Sequence, residues 1–171
     1  LWVADELSYN NHFKNKDTLL LAVLEGGLAH VYHQLEPLAN APDCTPSEKL
    51  REMTKQHVLN VTRKPAVGAA MVFEIRSLMS MKAAIEDEKD EFAQRRQSFF
   101  ELRDKFEALF RHIVREGVES GEFREVDPAI FAKMMLGAQN WVGVWYKAGG
   151  RLTGEDIAEM IADNFLAALR K

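Results

Sequence analysis

Cysteine is almost missing from this chain. Cys44 alone, among 171 residues, cannot close an intramolecular disulfide, so the fold must stand on packing and the chain reads as a resident of a reducing compartment. Long hydrophobic runs are missing too. None approaches the roughly 18 apolar residues that cross a bilayer, and no basic, apolar and small-residue leader of the secretory kind is seen. No membrane partner and a cytoplasmic location are therefore expected. Positive charge is not in excess: 22 basic residues face 26 acidic ones, for a net charge of -4, which excludes a nucleic-acid signature spread over the whole chain. It leaves room for a local basic cluster, and His12, Lys14 and Lys16 form one near the start. Strand-like alternation, internal repeats and low-complexity stretches are all lacking. So are a glycine-rich phosphate loop, a nucleophile elbow and any Glu-x-x-His pair, and Cys44 has no activating base in sequence.

What remains is helix. The chain is 47% hydrophobic, enough for a real core, and its length suits one domain or one domain plus a small remnant. Asn15 is placed to cap a helix from Lys16 to about Leu38, whose stripe is Leu19, Leu20, Val23, Leu24, Leu28, Val31 and Leu35. Pro37 and the Ala41-Pro42-Asp43 loop end it. Thr45-Pro46-Ser47-Glu48 is a capping box with proline at the first helical position, opening a helix to about Thr62. Pro65 opens another, to about Leu78. A long helix carries Phe92, Phe99, Leu102, Phe106, Leu109, Phe110, Ile113 and Val114 until Gly121 stops it. Asp127-Pro128 starts a helix that is apolar nearly all round as far as Tyr146, so it must be covered on more than one side. Thr153 with Asp156 caps the last helix. The run from Glu86 to Glu91 reads as a solvated helix face or a join between helices.

The two final helices offer more apolar surface than one small body hides. The excess reads as a homodimer face, a four-helix arrangement built from two copies, with Phe131, Met135, Val142, Ile157, Ile161 and Phe165 as its residues. The alternative is a monomer whose core uses both helices.

Asn11-His12-Phe13-Lys14-Asn15-Lys16-Asp17-Thr18-Leu19-Leu20 has the form of a short polar helix end, an aromatic anchor, a lysine-bearing turn and the start of a supporting helix. A groove-reading head needs those parts: polar residues toward the bases, an aromatic pinned to the body, and lysine with helix N-terminal amides near the phosphates. The segment resembles the tetracycline-repressor (TetR) family of regulators, whose recognition helix ends in Leu-Tyr-x-His-Phe and is followed by a lysine-containing turn and Leu-Leu. His12, Phe13, Lys16, Leu19 and Leu20 match, and Tyr9 stands where the family has its aromatic, set one position farther off by Asn10-Asn11.

Gly117 to Pro128 resembles the linker before the family's last two helices. Ala138-Gln139-Asn140-Trp141, Trp145-Tyr146 and Gly149-Gly150-Arg151-Leu152-Thr153 are similar to a branch that regulates fatty-acid and steroid-ring breakdown in response to acyl-CoA thioesters. The resemblance implies an all-α, TetR-like fold. It implies a partial helix-turn-helix in residues 1–20, and a ligand-binding and dimerisation body in residues 21–171. It implies double-stranded operator DNA as partner, met by Tyr9, Asn10, Asn11, His12, Lys14 and Lys16. Because the chain opens on Leu1 inside structured sequence, further residues are expected to precede it, with the family's first DNA-binding helices among them.

A ligand site is expected among the middle helices. Arg76, Arg96 and Arg103 lie three or four residues from Phe73, Phe92, Phe99 and Phe106, beside apolar stripes. A buried cation is costly without a partner, so each snorkels to water, pairs with a carboxylate or meets an anionic ligand, for which arginine's planar fork is suited. Phe73, Arg76, Phe99, Arg103, Phe106, Asn140, Trp141 and Trp145 are the expected lining, with Asn140 and Gln139 able to bond a carbonyl. His57 and His112 read as surface or seam residues.

The expected function is a dimeric, ligand-responsive regulator, a repressor released from operator DNA by a small hydrophobic or CoA-thioester ligand, with no cofactor and no catalysis. Two rivals are a metal-binding helical bundle or enzyme, for which only His30 and His33 share a helix face, and a helical adaptor that binds no DNA.

Overall fold

A computed structural model describes the backbone of residues 2–80 and 91–171 and the side chains of residues 16–79 and 91–171. Seven helices follow: α1 (Trp2–Ala39), α2 (Pro46–Arg63), α3 (Pro65–Phe73), α4 (Ile75–Ser80), α5 (Glu91–Glu119), α6 (Pro128–Trp145) and α7 (Gly154–Leu169), with no strand among the described residues.

Local signals set most of the boundaries. Thr45 and Thr153 each close a capping box, the threonine side chain accepting from the N3 amide while Glu48 or Asp156 reaches back to the threonine amide. These hydrogen bonds hold the Glu48 and Asp156 carboxyls below the usual carboxylate range. Asp127 accepts from the amides of Ala129 and Ile130 at 2.8 and 3.0 Å, with Pro128 at the first turn of α6. Gly121, at φ +77°, turns the chain out of α5. The Phe123 amide then donates to Gly117 O at 2.8 Å and lays its ring on Gly117, where a Cβ would meet the ring at 2.1 Å. Arg124 donates from its amide to Leu169 O and from Nε to Ala168 O, satisfying carbonyls at the end of α7.

One expectation is corrected at the start of the chain. No turn separates a recognition helix from a supporting helix: α1 runs through Asn15 unbroken. Neither glycine nor proline occurs between Trp2 and Glu25, so extending the helix outweighs the single capping signal. The division at residues 20 and 21 therefore falls inside one helix. The expected helix from Pro65 to Leu78 is also broken at Glu74 into α3 and α4.

α2 sits at the centre, packed by α1, α5, α6 and α7, while α3 lies on α6 and α1 on α5. The main core takes Leu21, Leu24, Leu28 and Leu35 from α1, Leu50 and Met53 from α2, Phe99, Phe106, Phe110 and Ile113 from α5, and Phe131 and Met135 from α6. A smaller core joins Val58 and Val61 to Val142, Ile157 and Ala158. Ion pairs run across the helix seams. Arg51 meets Glu159 and Asp163, Lys55 meets Glu159, and Lys49 meets Glu116.

The α6–α7 surface divides the expected dimer residues between buried and half-buried positions. Phe131, Met135, Val142 and Ile157 are buried in the chain's own cores, and Ile161 and Phe165 pack half-buried against them. The stripe that faces outward is one step round α6: Ile130, Met134, Trp141 and Trp145 are 57%, 58%, 50% and 48% exposed, with Met160 of α7 also exposed. The helix is apolar all round, so periodicity alone could not tell its inner face from its outer one.

Candidate functional site

Six neighbouring helices leave a cavity of about 420 Å³ between them, within the range of small-molecule sites. Each side is a helix face read at spacings of three and four. α2 gives His57, Asn60 and Val61, followed by Lys64 at its end, and α6 gives Lys133, Leu136, Gly137 and Asn140. α5 gives Arg103, Phe106 and Glu107, α1 gives Gly27, Leu28, His30 and Val31, and α3–α4 gives Val67, Gly68, Met71 and Ile75. Gly27 lets α1 approach Val67 closely at this wall, a Cβ at Gly27 falling 2.9 Å from Val67 Cγ1.

The cavity is polarised. Leu28, His57, Val61 and Phe106 are buried and make its floor, whereas Lys64, Arg103 and Lys133 are exposed and stand at its mouth. Lys133 pairs with Glu107 at 2.5 Å. Lys64 and Arg103 have no carboxylate partner among the described residues, so the mouth carries uncommitted positive charge. An anionic group on a ligand would find it there.

Polar groups within the walls are mostly paired with one another. Asn60 Nδ2 donates to Gln34 Oε1 at 2.7 Å and to Gln56 O at 2.8 Å, and Gln34 in turn bonds His30 at 3.2 Å. His57 Nε2–H donates to Asn140 Oδ1 at 3.0 Å, and its ring is held against Phe106 and Phe110, with centroids 5.2 and 6.3 Å away. Burial lowers the His57 pKa to about 4, offset only partly by the Asn140 hydrogen bond, so the imidazole is neutral at ordinary pH. Its Nδ1 is buried without a partner among the described residues.

Of the expected lining, Arg103, Phe106 and Asn140 are brought together here. Phe99 is in the main core. Phe73 and Trp141 are exposed and stack edge to face with centroids 6.1 Å apart, outside the cavity, and Arg76 and Trp145 are exposed as well. Arg96 is buried but spends Nη1 on Leu78 O at 3.1 Å, bridging α4 and α5. Proximity to an aromatic in sequence does not say which side of a helix faces the gap. His57, read as a surface or seam residue, is buried at the cavity wall. The signal that would have found it is the set His57, Asn60, Val61 and Lys64, a helical face that mixes apolar and polar residues.

Of the expected DNA-contacting residues, Lys16 is exposed. The side chains of Tyr9, Asn10, Asn11, His12 and Lys14 lie outside the described ones, as do residues 86–90 of the charge run. Cys44 is exposed. Among the described residues no three His, Cys, Asp or Glu side chains gather as a metal site, and no helix is long and apolar enough to cross a membrane.

Residues 43–169 match the model of the tetracyclin repressor-like C-terminal domain family. Among solved structures, the chain is similar to the TetR family transcriptional regulator PfmR from Thermus thermophilus. The two are 26% identical with a TM-score of 0.72, over 96% of this chain and 82% of that one. It is similar to AibR in complex with isovaleryl coenzyme A and operator DNA, with 26% identity and a TM-score of 0.63, over 94% of this chain and 77% of that one. The ketosteroid regulator KstR2 of Mycobacterium tuberculosis shares the fold at 16% identity and a TM-score of 0.74, over 96% of this chain and 78% of that one. No curated protein sequence matches the chain.

Proposed function

Since the chain belongs to the TetR family of transcriptional regulators, we propose that it acts in the cytoplasm as a homodimeric repressor. It binds operator DNA and leaves it when an acyl ligand with an anionic end, of the CoA-thioester kind, enters the cavity. The observation that carries this reading is the polarity of the cavity, with Lys64 and Arg103 free at the mouth and Leu28, Val61 and Phe106 on the floor. A neutral hydrophobic ligand would leave those cations unused. AibR, crystallised with isovaleryl coenzyme A and operator DNA, is a relative of similar fold with a ligand of this chemistry.

α1 is the natural lever. It lines the cavity through Gly27, Leu28, His30 and Val31 and continues to residues 9–16, where Tyr9, Asn10, Asn11, His12, Lys14 and Lys16 are the proposed DNA-facing group. A ligand that pushes on the middle of one continuous rod moves its end. A coupling of about 1–3 kcal/mol would change operator affinity several-fold to over a hundredfold. The second copy is proposed to cover the outward stripe of α6, Ile130, Met134, Trp141 and Trp145, together with Met160 of α7. Tryptophan and methionine are enriched in interface cores, and monomers rarely leave such a patch to water.

Sedimentation equilibrium, followed by selection of bound duplexes from a random DNA pool, tests the reading. A dimer that enriches a palindromic site, with affinity falling as salt rises, is expected. A monomer, or a protein that enriches nothing, contradicts it.

A further inference from the structure

A half-buried amide in the cavity wall holds a neutral donor that no described residue uses. Asn60 has spent its Nδ2 on Gln34 and Gln56, Lys133 is bonded to Glu107, and His30, which accepts from Gln34 Nε2, is exposed to water. Asn140 is different. Its Oδ1 is occupied by His57 Nε2–H at 3.0 Å, while its Nδ2 hydrogens have no acceptor among the described residues. Asn140 is only half-buried and forms part of the wall, so that donor is open to the space a ligand would fill. His57 cannot easily let go: its ring is buried, 5% exposed, and set against Phe106 and Phe110. With Oδ1 tied on one side, the planar amide can present only N–H to the other.

We propose that His57 is a positioning residue that locks the Asn140 amide, and that Asn140 Nδ2 reads a carbonyl oxygen of the bound ligand. The proposal rests on the acyl-ligand reading above and adds to it a specific chemical demand. The exposed cations take the anionic end and the buried floor takes the chain. The thioester carbonyl, at the head of the chain and followed by the pantetheine arm that leads out to the phosphates, is then placed at the wall where half-buried Asn140 stands. An ether, thioether or plain alkyl group at that point leaves the donor unpaired and is discriminated against.

Calorimetric titration of the whole protein with octanoyl-CoA and with S-octyl-CoA, the thioether of equal chain length that lacks the carbonyl, tests this. The thioester is expected to bind about five to ten times more tightly, the worth of one hydrogen bond. Asn140→Leu is expected to bring that ratio to about one. His57→Phe, which keeps a ring of similar shape but no donor, should lower the ratio as well, and His57→Gln, which restores a donor, should recover part of it. Helix content and melting temperature of each variant show whether it has folded, and Asn140→Leu, at a half-buried site, keeps the test open should His57→Phe fail to fold. Equal binding of the two probes by the unaltered protein overturns the carbonyl contact and leaves the ligand class standing. A ratio that survives Asn140→Leu overturns the role of Asn140. Binding of neither probe overturns the acyl-CoA reading and this inference with it.

Discussion

His57 shows how much a single side chain can reveal when it is buried. Its pKa falls from 6.5 to about 4 because burial costs the charged ring its solvation, a cost the Asn140 hydrogen bond offsets only in part. The unfolded chain therefore binds a proton that the folded chain refuses. The stability that follows is fully present above about pH 6.5 and is lost as pH falls toward 4. Between pH 7 and pH 5 the loss from this residue is about 2 kcal/mol. Urea denaturation at the two pH values should show it, and His57→Phe should flatten the difference. The carboxylates held low by hydrogen bonds, Glu48, Asp156 and Glu159, titrate below that window. An equal pH slope in the variant would show that another group is responsible. In sequence His57 is one histidine among five, without a partner nearby, because Asn140 is 83 residues away and only the fold brings them together.

Helices are the scale at which the sequence speaks most clearly. Thr45-Pro46-Ser47-Glu48, Asp127-Pro128 and Thr153 with Asp156 mark helix starts by local hydrogen bonding, which needs no tertiary information, and the starts of α2, α6 and α7 follow them. What a local signal cannot decide is competition with a neighbour's geometry. Asn15 had the chemistry of a cap and lost to an uninterrupted helix. The crossing of α3 over α6 is another case. A Cβ at Gly143 would lie 3.0 Å from the backbone of Gly68 and Ala69, so the two helices touch main chain to main chain. Nothing in the local sequence announces that Gly68 and Gly143 are a pair. Gly143→Val should force them apart, with a loss of about 1–3 kcal/mol by chemical denaturation. Because α3 and α6 both wall the cavity, weaker ligand binding should accompany the loss. Full stability in this variant would mean that α3 is free to shift.

For the whole molecule, the all-helical regulator fold was legible from helix order and the TetR-like segments. The division of apolar surface between core, cavity and exterior was not. Phe131 and Trp141 are both large apolar residues on α6, yet one is buried in the main core and the other is half in water. The difference is which neighbours the helix acquires: Phe131 packs into the main core and against Phe165 of α7, whereas Trp141 meets only the exposed ring of Phe73 edge to face among the aromatic contacts of the described residues. If a second copy supplies the missing cover, replacing Met134 and Trp141 together by glutamate should leave circular dichroism unchanged while weakening dimerisation more than tenfold, as loss of an interface anchor does. Sedimentation equilibrium reads the change directly. An unaltered dimer would place the interface elsewhere.

The central claim is that filling the cavity changes how the protein holds DNA. Fluorescence anisotropy of a labelled operator duplex, measured at fixed salt while octanoyl-CoA is raised, addresses it in one titration. Operator affinity should fall by at least about fivefold, and less so when Lys64 and Arg103 are both replaced by alanine. An affinity that stays constant while calorimetry records the ligand bound would contradict the claim.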